Sequence, residues 1–207
     1  MSNFVVSIGR QLGSGGKDIA EALGRMLKIP VYDKRLLTEA AAESGLHATV
    51  FEKADEKESD SFIGNFAAFR SSISNYFSGE ESCMNRDHLF KIQSEVMRDI
   101  ASRESCIIVG RCSEYVLRNH PKLISIFITA DTADRITRTM QKDNLDKEKA
   151  TERIAKGDKM RKSYHDYYAT TQWGDTKCYD LCVNSSRLGI DGTVEFIHEY
   201  IKRRIAE

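Results

Sequence analysis

Along the chain, short continuous apolar runs are set apart by longer stretches in which apolar residues return every three or four positions. The first run, FVVSIG (4–9), is rich in β-branched residues and ends in glycine. Branched side chains pack well on a pleated surface, so it predicts a strand. After a glycine-rich stretch, Ile19, Leu23, Met26 and Leu27 recur at helical spacing, which predicts the order strand, loop, helix. IPVYD (29–33) predicts a second strand, with Pro30 tolerated near its start. CIIVG (106–110), LISIFITA (123–130) and YDLCVN (179–184) predict three more. None alternates cleanly between apolar and polar positions, as expected of strands buried on both faces. The final stretch, TVEFIHEYIKRRI (193–205), puts Val194, Ile197 and Ile201 on one helical face and Lys202, Arg203 and Arg204 in the last turns, where cations suit the helix dipole. Five short strands separated by helices predict an α/β fold, a five-stranded parallel sheet with helices on both faces.

Two segments interrupt that rhythm. Residues 34–105 are helical in composition and free of proline, an insertion relative to a minimal α/β unit. Its middle, EKADEKESDS (52–61), reads as a solvated helix face or a mobile loop. Phe62, Phe66 and Phe69 follow at helical spacing, a pattern of packing more than of base stacking. The polar segment 141–168 lacks the periodicity of a central element. Two such insertions on an α/β core are expected to close over a substrate. The remaining stretches, 1–33, 106–140 and 175–207, form the expected core of a single domain.

Composition narrows the classes of function. A chain of 207 residues with 41% apolar content can bury a real core. Lys plus Arg equals Asp plus Glu at 31 each, so no global field favours nucleic acid or an anionic membrane, and an anion site must come from a local cluster. Cys83, Cys106, Cys112, Cys178 and Cys182 have no paired metal-ligand spacing, and no metal site is expected from them. That usage fits a reducing, cytoplasmic compartment. The N-terminal apolar run is short and has no basic start, and no stretch approaches the ~18 apolar residues that span a bilayer. A soluble, unexported chain is expected.

The chemistry centres on GRQLGSGGKD (9–18). A strand that ends in a glycine-rich turn and feeds a helix aims backbone N–H groups and the positive end of a helix dipole at one point, which suits phosphate. Gly13, Ser14, Gly15 and Gly16 are small enough for close approach, and Lys17 stands where a P-loop lysine reaches the β and γ phosphates. The pattern GxxxxGK[ST] is broken twice, by Gln11 at its first glycine and by Asp18 at its Ser/Thr. A purely structural helix start is the alternative. Arg10 and Arg111 each follow a strand-terminal glycine, in IGR and VGR. Ligands of open α/β sheets sit beyond the carboxyl ends of the strands, so Arg111 is placed for a second phosphate, with a surface ion pair as the plainer alternative. Asp33 ends the second strand and serves either a substrate hydroxyl, a magnesium-bound water or a neighbouring arginine, or merely the cap of the next helix.

Taken in order, SIGRQLGSGGKDIA, IPVYDKRLL, IIVGRCSEYVL, IFITADTADRITR, DKMRKSY and YDLCVNSSRLGID resemble the cytidylate kinase-like family, a divergent branch related to bacterial cytidylate kinases. The resemblance covers nearly the whole chain. It implies a P-loop nucleoside monophosphate kinase fold that uses ATP and Mg²⁺, with a helical nucleotide-acceptor insertion at about 34–105 and a helical lid at about 141–174. Gly110-Arg111 matches the start of the GRD motif, which implies that Arg111 holds the acceptor phosphate. Asp158 and Arg161 match the DxxR motif of the lid, implying contacts to the acceptor sugar and to phosphate. Arg135 and Arg138 resemble the ERxxRR segment, on the ATP side or anchoring the lid. Cys112 stands where the family motif has aspartate, so cytosine is not implied as the base. Arg35, beside Lys34, is the candidate for a further phosphate contact after the second strand. The expected reaction is in-line phosphoryl transfer from ATP to a nucleoside monophosphate such as CMP or dCMP, with Mg²⁺ held mainly by phosphates and water and Asp18 or Asp33 in its outer shell.

Tyr164, His165, Tyr167, Tyr168 and Trp173 interleave with Arg161 and Lys162. Such a run can stack nucleic acid, but a neutral chain without a basic stripe disfavours that reading; packing of the lid or stacking of one base fits better. His165 as a general base is open but not required. Two function classes remain: an active small-molecule kinase, and a nucleotide-binding regulatory module that binds without transfer. Gln11 and Asp18 favour the second; Arg111, Asp158 and Arg161 favour the first.

Overall fold

The computed structural model describes residues 3–35, 37 and 83–206. The chain divides into two compact units, Met1–Asp33 with Ile100–Glu207, and Lys34–Asp99. The runs at 52–61 and 62–69, with Phe62, Phe66 and Phe69, lie outside the described residues.

The first unit is built on one parallel sheet in the order β2-β3-β1-β4-β5. Its strands are β1 (Val5–Arg10), β2 (Val31–Tyr32), β3 (Cys106–Val109), β4 (Leu123–Thr129) and β5 (Leu181–Asn184). β1 is central: Val5 lies opposite Cys106 on one side and Leu123 on the other. Consecutive residues Val5, Val6, Ser7 and Ile8 are all fully buried, which is why the run shows no alternation. β2 is two residues long, shorter than the IPVYD run, and pairs Val31 with Ile107 and Tyr32 with Ile108.

The helices in chain order are α1 (Gly16–Leu27), α2 (Cys83–Arg103), α3 (Ser113–Val116), α4 (Thr132–Asp143), α5 (Lys147–Tyr168) and α6 (Gly189–Ala206), with a 3₁₀ turn at Thr176–Cys178. Ile19 and Leu23 of α1 and Val194, Ile197 and Ile201 of α6 join Val6, Ile8, Ile107, Ile126 and Ile128 in one buried cluster. Truncating a fully buried member such as Leu23 to alanine would cost about 2–5 kcal/mol. The core thus fixes β1 and α1 in place, and with them the loop that joins them. α6 starts at Gly189, four residues before the expected 193, with Gly189 at φ 69.

In the second unit, backbone at Lys34, Arg35 and Leu37 is helical, and α2 buries Leu89, Ile92, Val96 and Met97 at helical spacing.

Residues 147–168 of the polar segment are helical, as expected. They form one helix of 22 residues, α5, in which only Ala150, Ile154 and His165 are buried. Its start is capped by Asp146, whose side chain accepts from the Lys149 N–H at 2.8 Å. The helix carries no apolar stripe because polar bonds dock it. Among the described residues no helix is long and apolar enough to cross a membrane.

Candidate active site

The loop between β1 and α1 is shaped by its glycines. Gly13 and Gly15 have φ of 78° and 76°, in the left-handed region, and Gly15 is the N-cap of α1. A Cβ on Gly13 would lie 2.7 Å from the Arg135 carbonyl oxygen, and one on Gly16 would lie 2.6 Å from Cβ of Arg10. A Cβ on Gly15 would collide with the Ile190 side chain. Gln11 is not among the residues with positive φ, so the backbone here does not require the glycine that the P-loop pattern places there. Its N–H donates to the Ile128 carbonyl at 3.1 Å, continuing the strand by one residue. Ser14 is buried: its Oγ donates to the Gln11 carbonyl at 2.9 Å and its carbonyl accepts from Ser185 Oγ at 2.7 Å. Ser14 therefore braces the loop. The first-turn amides of α1, at Gly16, Lys17 and Asp18, have no partner within the helix and lie at the positive end of its dipole. That loop fits an anionic phosphate chain.

Lys17 and Asp18 are exposed. Lys17 Nζ donates to Asp33 at 3.1 Å and lies 3.8 Å from Glu21. Asp33 thus meets Lys17, and its charge also acts on Arg10. Asp18 lies 3.7 Å from Lys142 of α4. Arg35 is exposed and belongs to the second unit.

Three arginines gather at the carboxyl ends of β1 and β3. The Arg10 guanidinium occupies the space where a Cβ of Gly110 would lie. Burial first, then the charges of Arg161 and Arg111, pull the Arg10 pKa down to about 9, while Asp33 acts in the opposite direction. Arg161 is lowered by burial, partly offset by Asp158, and lowered again by Arg135. It donates to the Arg10 carbonyl at 2.9 Å. The Arg111 guanidinium lies 4.5 Å from the centre of the Tyr164 ring. Arg111 and Cys112 both have left-handed φ, 61° and 55°, in the turn from β3 into α3. Such conformations cost about 1–3 kcal/mol each in non-glycine residues and cluster at functional sites. The cluster concentrates positive charge that an anion would neutralise.

Asp158, Arg135 and Arg138 sit against the same loop. Asp158 accepts from the Leu12 N–H at 2.7 Å with one oxygen and pairs with Arg135 through the other. Arg135, itself buried, also donates from Nε to the Leu12 carbonyl at 2.7 Å. Arg138 donates to Ser185 Oγ at 3.1 Å and to the Gly13 carbonyl at 3.4 Å. Both α4 arginines hold carbonyls of the loop or of its neighbours.

A pair that the sequence did not single out lies behind this surface. Glu114 and His165 are both buried and bonded at 2.7 Å, Oε1 to Nε2. The other ring nitrogen of His165 faces Asp166 at 3.2 Å. Both nitrogens are therefore engaged with carboxylates, which argues against the general-base reading. The one available signal for Glu114 was an acidic residue three positions after Gly-Arg. Trp173 packs edge-on to Phe127 at 5.3 Å, and Tyr164 and Tyr167 each contact Tyr168, although Tyr167 itself is exposed. Cys112 is buried, and burial first, with Glu114 adding, pushes its thiol well above the ordinary range. It is a neutral group in place of the motif's carboxylate. Among the described residues no group of three or more His, Cys, Asp or Glu side chains is arranged so that it could hold a metal ion.

The comparisons with known proteins bear on the family and the fold. Residues 5–187 match the model of the "Cytidylate kinase-like family". A curated cytidylate kinase of Staphylothermus marinus is 28% identical over 108 residues, 52% of this chain and 60% of that protein, so the match spans less than two thirds of the relative. A solved structure of an uncharacterized protein from Eubacterium ventriosum is 29% identical, covers 97% of this chain and 99% of its own, and superposes with a TM-score of 0.74. A shikimate kinase from Bacteroides thetaiotaomicron (12% identical, 96% and 98% covered, TM-score 0.51) and a gluconokinase from Sinorhizobium meliloti (9% identical, 98% and 93% covered, TM-score 0.53) share the fold.

Proposed function

The chain belongs to the cytidylate kinase-like family, and from that premise we propose that it transfers a phosphoryl group from ATP to a small phosphorylated acceptor, a nucleoside monophosphate such as CMP or dCMP. The family implies ATP use and typically Mg²⁺. One observation carries the reading: a glycine loop at the N-terminus of α1 lies against the side chain of Arg10, which belongs to a cluster with Arg111 and Arg161. A donor phosphate site beside a separate polycationic site is what transfer between two phosphates requires.

In this reading Gly13, Ser14, Gly15 and Gly16 form the donor loop, with Lys17 on the β and γ phosphates and Arg135 and Arg138 bracing it from α4. Arg111 and Arg10 hold the acceptor phosphate. Arg161 neutralises charge that develops on the transferred group. Catalysis is then positioning and electrostatic stabilisation, without a covalent protein intermediate. Residues 141–174 act as the lid and 34–105, with Arg35, as the acceptor-side insertion, on a core of 1–33, 106–140 and 175–207. For Asp158 to reach an acceptor sugar it would exchange its bond to Leu12 or Arg135. A magnesium ion would be held by phosphate oxygens and water, with Asp18 and Asp33 as outer-shell carboxylates; the described residues offer no cluster that could hold it alone.

Replacing Lys17 or Arg111 by alanine should abolish most ADP formation while circular dichroism stays native. Two folded, fully active variants would exclude the scheme. A second reading, nucleotide binding without transfer, is favoured by Asp18 in place of the hydroxyl residue and predicts ATP binding with no acceptor-dependent turnover in any variant.

A further inference from the structure

We infer that the buried Glu114–His165 pair is a positioning device that holds Arg111 and Arg161 in register around one anion-binding site. The inference deepens the phosphotransfer reading and rests on it for the identity of the anions there as the acceptor phosphate and the transferred group. Glu114 lies three residues after Arg111, on α3, and His165 lies four after Arg161, one turn further along α5. Residues four apart share one face of a helix, so a bond at His165 fixes the azimuth of Arg161. A 2.7 Å bond between Glu114 and His165 therefore couples the two elements that carry the arginines, at a point where neither side chain meets solvent.

Further contacts make the coupling stiff. Ser113 Oγ bonds Ser7 Oγ at 2.6 Å, and Ser7 also donates to Glu114 Oε2 at 3.5 Å, which ties the pair to β1 three residues before Arg10. Asp166 faces His165 Nδ1 and is itself held by Lys162 at 2.7 Å and by the Trp173 N–H at 2.8 Å. Tyr164, the neighbour of His165, lies under the Arg111 guanidinium. Removing one partner would leave the other as an uncompensated buried polar group, so the two elements are held in a single register.

The charged groups around the imidazole are Glu114 from α3 and, from its own helix, Asp166 with Lys162 behind it; Cys112 and Tyr179, close to Glu114, are held neutral mainly by burial. Burial opposes charging of His165, but Glu114 and then Asp166 outweigh it and raise its pKa above 6.5. The imidazolium can donate to both carboxylates, whereas the neutral ring has one N–H and must release one of them.

The test is inorganic sulfate, a dianion that does not titrate in the working range, binding to the full chain by calorimetry well below the melting temperature. Arg111→Ala and Arg161→Ala define the arginine-dependent component. His165→Gln and Glu114→Gln should each weaken that component at least about tenfold, with little further loss when His165→Gln is combined with Arg161→Ala. If a variant fails to fold, the wild-type protein serves: its sulfate affinity should fall as pH rises above 6.5 through the raised folded pKa of His165. A purely structural pair would lower the melting temperature and leave the affinity of the folded protein, and its pH profile, within about twofold; that result, or a wild-type chain that binds no sulfate, overturns the inference. Sulfate binding as expected, with no ADP formed from ATP and nucleoside monophosphates, would overturn the transfer reading alone.

Discussion

The Arg161 guanidinium donates to the carbonyl oxygen of Arg10, the last residue of β1, at 2.9 Å. Asp158, three residues before Arg161, bonds Leu12, and His165, four residues after it, bonds Glu114. Spacings of three and four keep these side chains on one helical face. One face of α5 is thus fastened by polar bonds to the loop after β1 and to α3, next to the groups proposed to bind phosphate.

Asp158 and Arg135 should behave as a coupled pair. Asp158→Ala strands the buried Arg135 guanidinium and is expected to destabilise the fold by about 3–5 kcal/mol. Combining it with Arg135→Met should recover a large part of that loss, measurable as a double-mutant cycle in urea. Additive losses would mean that the pair is not energetically linked.

Arg10 is expected to weaken the fold for the sake of anion binding. Its folded pKa of about 9 lies below the ordinary arginine value of the unfolded chain, so the unfolded chain holds the proton more tightly. Stability gained from this group would rise only as pH climbs from about 9 toward the ordinary arginine range, and at neutral pH the cost is present in full. Arg10→Met should therefore raise stability by about 1 kcal/mol, or roughly 2–4 °C in melting temperature, and remove the stabilisation that sulfate confers. A variant that melts lower than wild type contradicts this.

His165 has the opposite sign. A base whose folded pKa is raised contributes stability in full below the unfolded value of 6.5, and loses it as pH rises through the folded value. The urea midpoint of the wild type should fall from pH 6 toward pH 9 more steeply than that of His165→Gln. Parallel profiles would show that the imidazole is not charged in the folded protein.

Gly13 is the loop position least able to accept a side chain, because it combines φ of 78° with a carbonyl oxygen 2.7 Å from where Cβ would lie. Gly13→Ala should cost about 1–3 kcal/mol and raise the KM for ATP more than that for the acceptor. Equal effects on both substrates would separate the loop from the donor site.

The strands were legible because a sheet buried on both faces leaves unbroken apolar runs, and all five runs are strands of one parallel sheet. The glycine loop was legible because close approach and left-handed backbone both demand glycine in sequence. α5 was not legible as a docked element, since its anchors at Asp158, Arg161 and His165 are polar and hydrophobic periodicity cannot register them. Glu114 was missed for a related reason: a single carboxylate acquires meaning only when folding brings it to a histidine 51 residues away.

The most direct test of the central claim is ADP release from ATP and Mg²⁺ across CMP, dCMP, UMP, AMP and GMP, with Lys17→Ala as control. Turnover with at least one acceptor, lost in the variant, is the predicted result. No acceptor-dependent ADP across the whole panel from the folded wild-type protein would contradict nucleoside monophosphate phosphorylation.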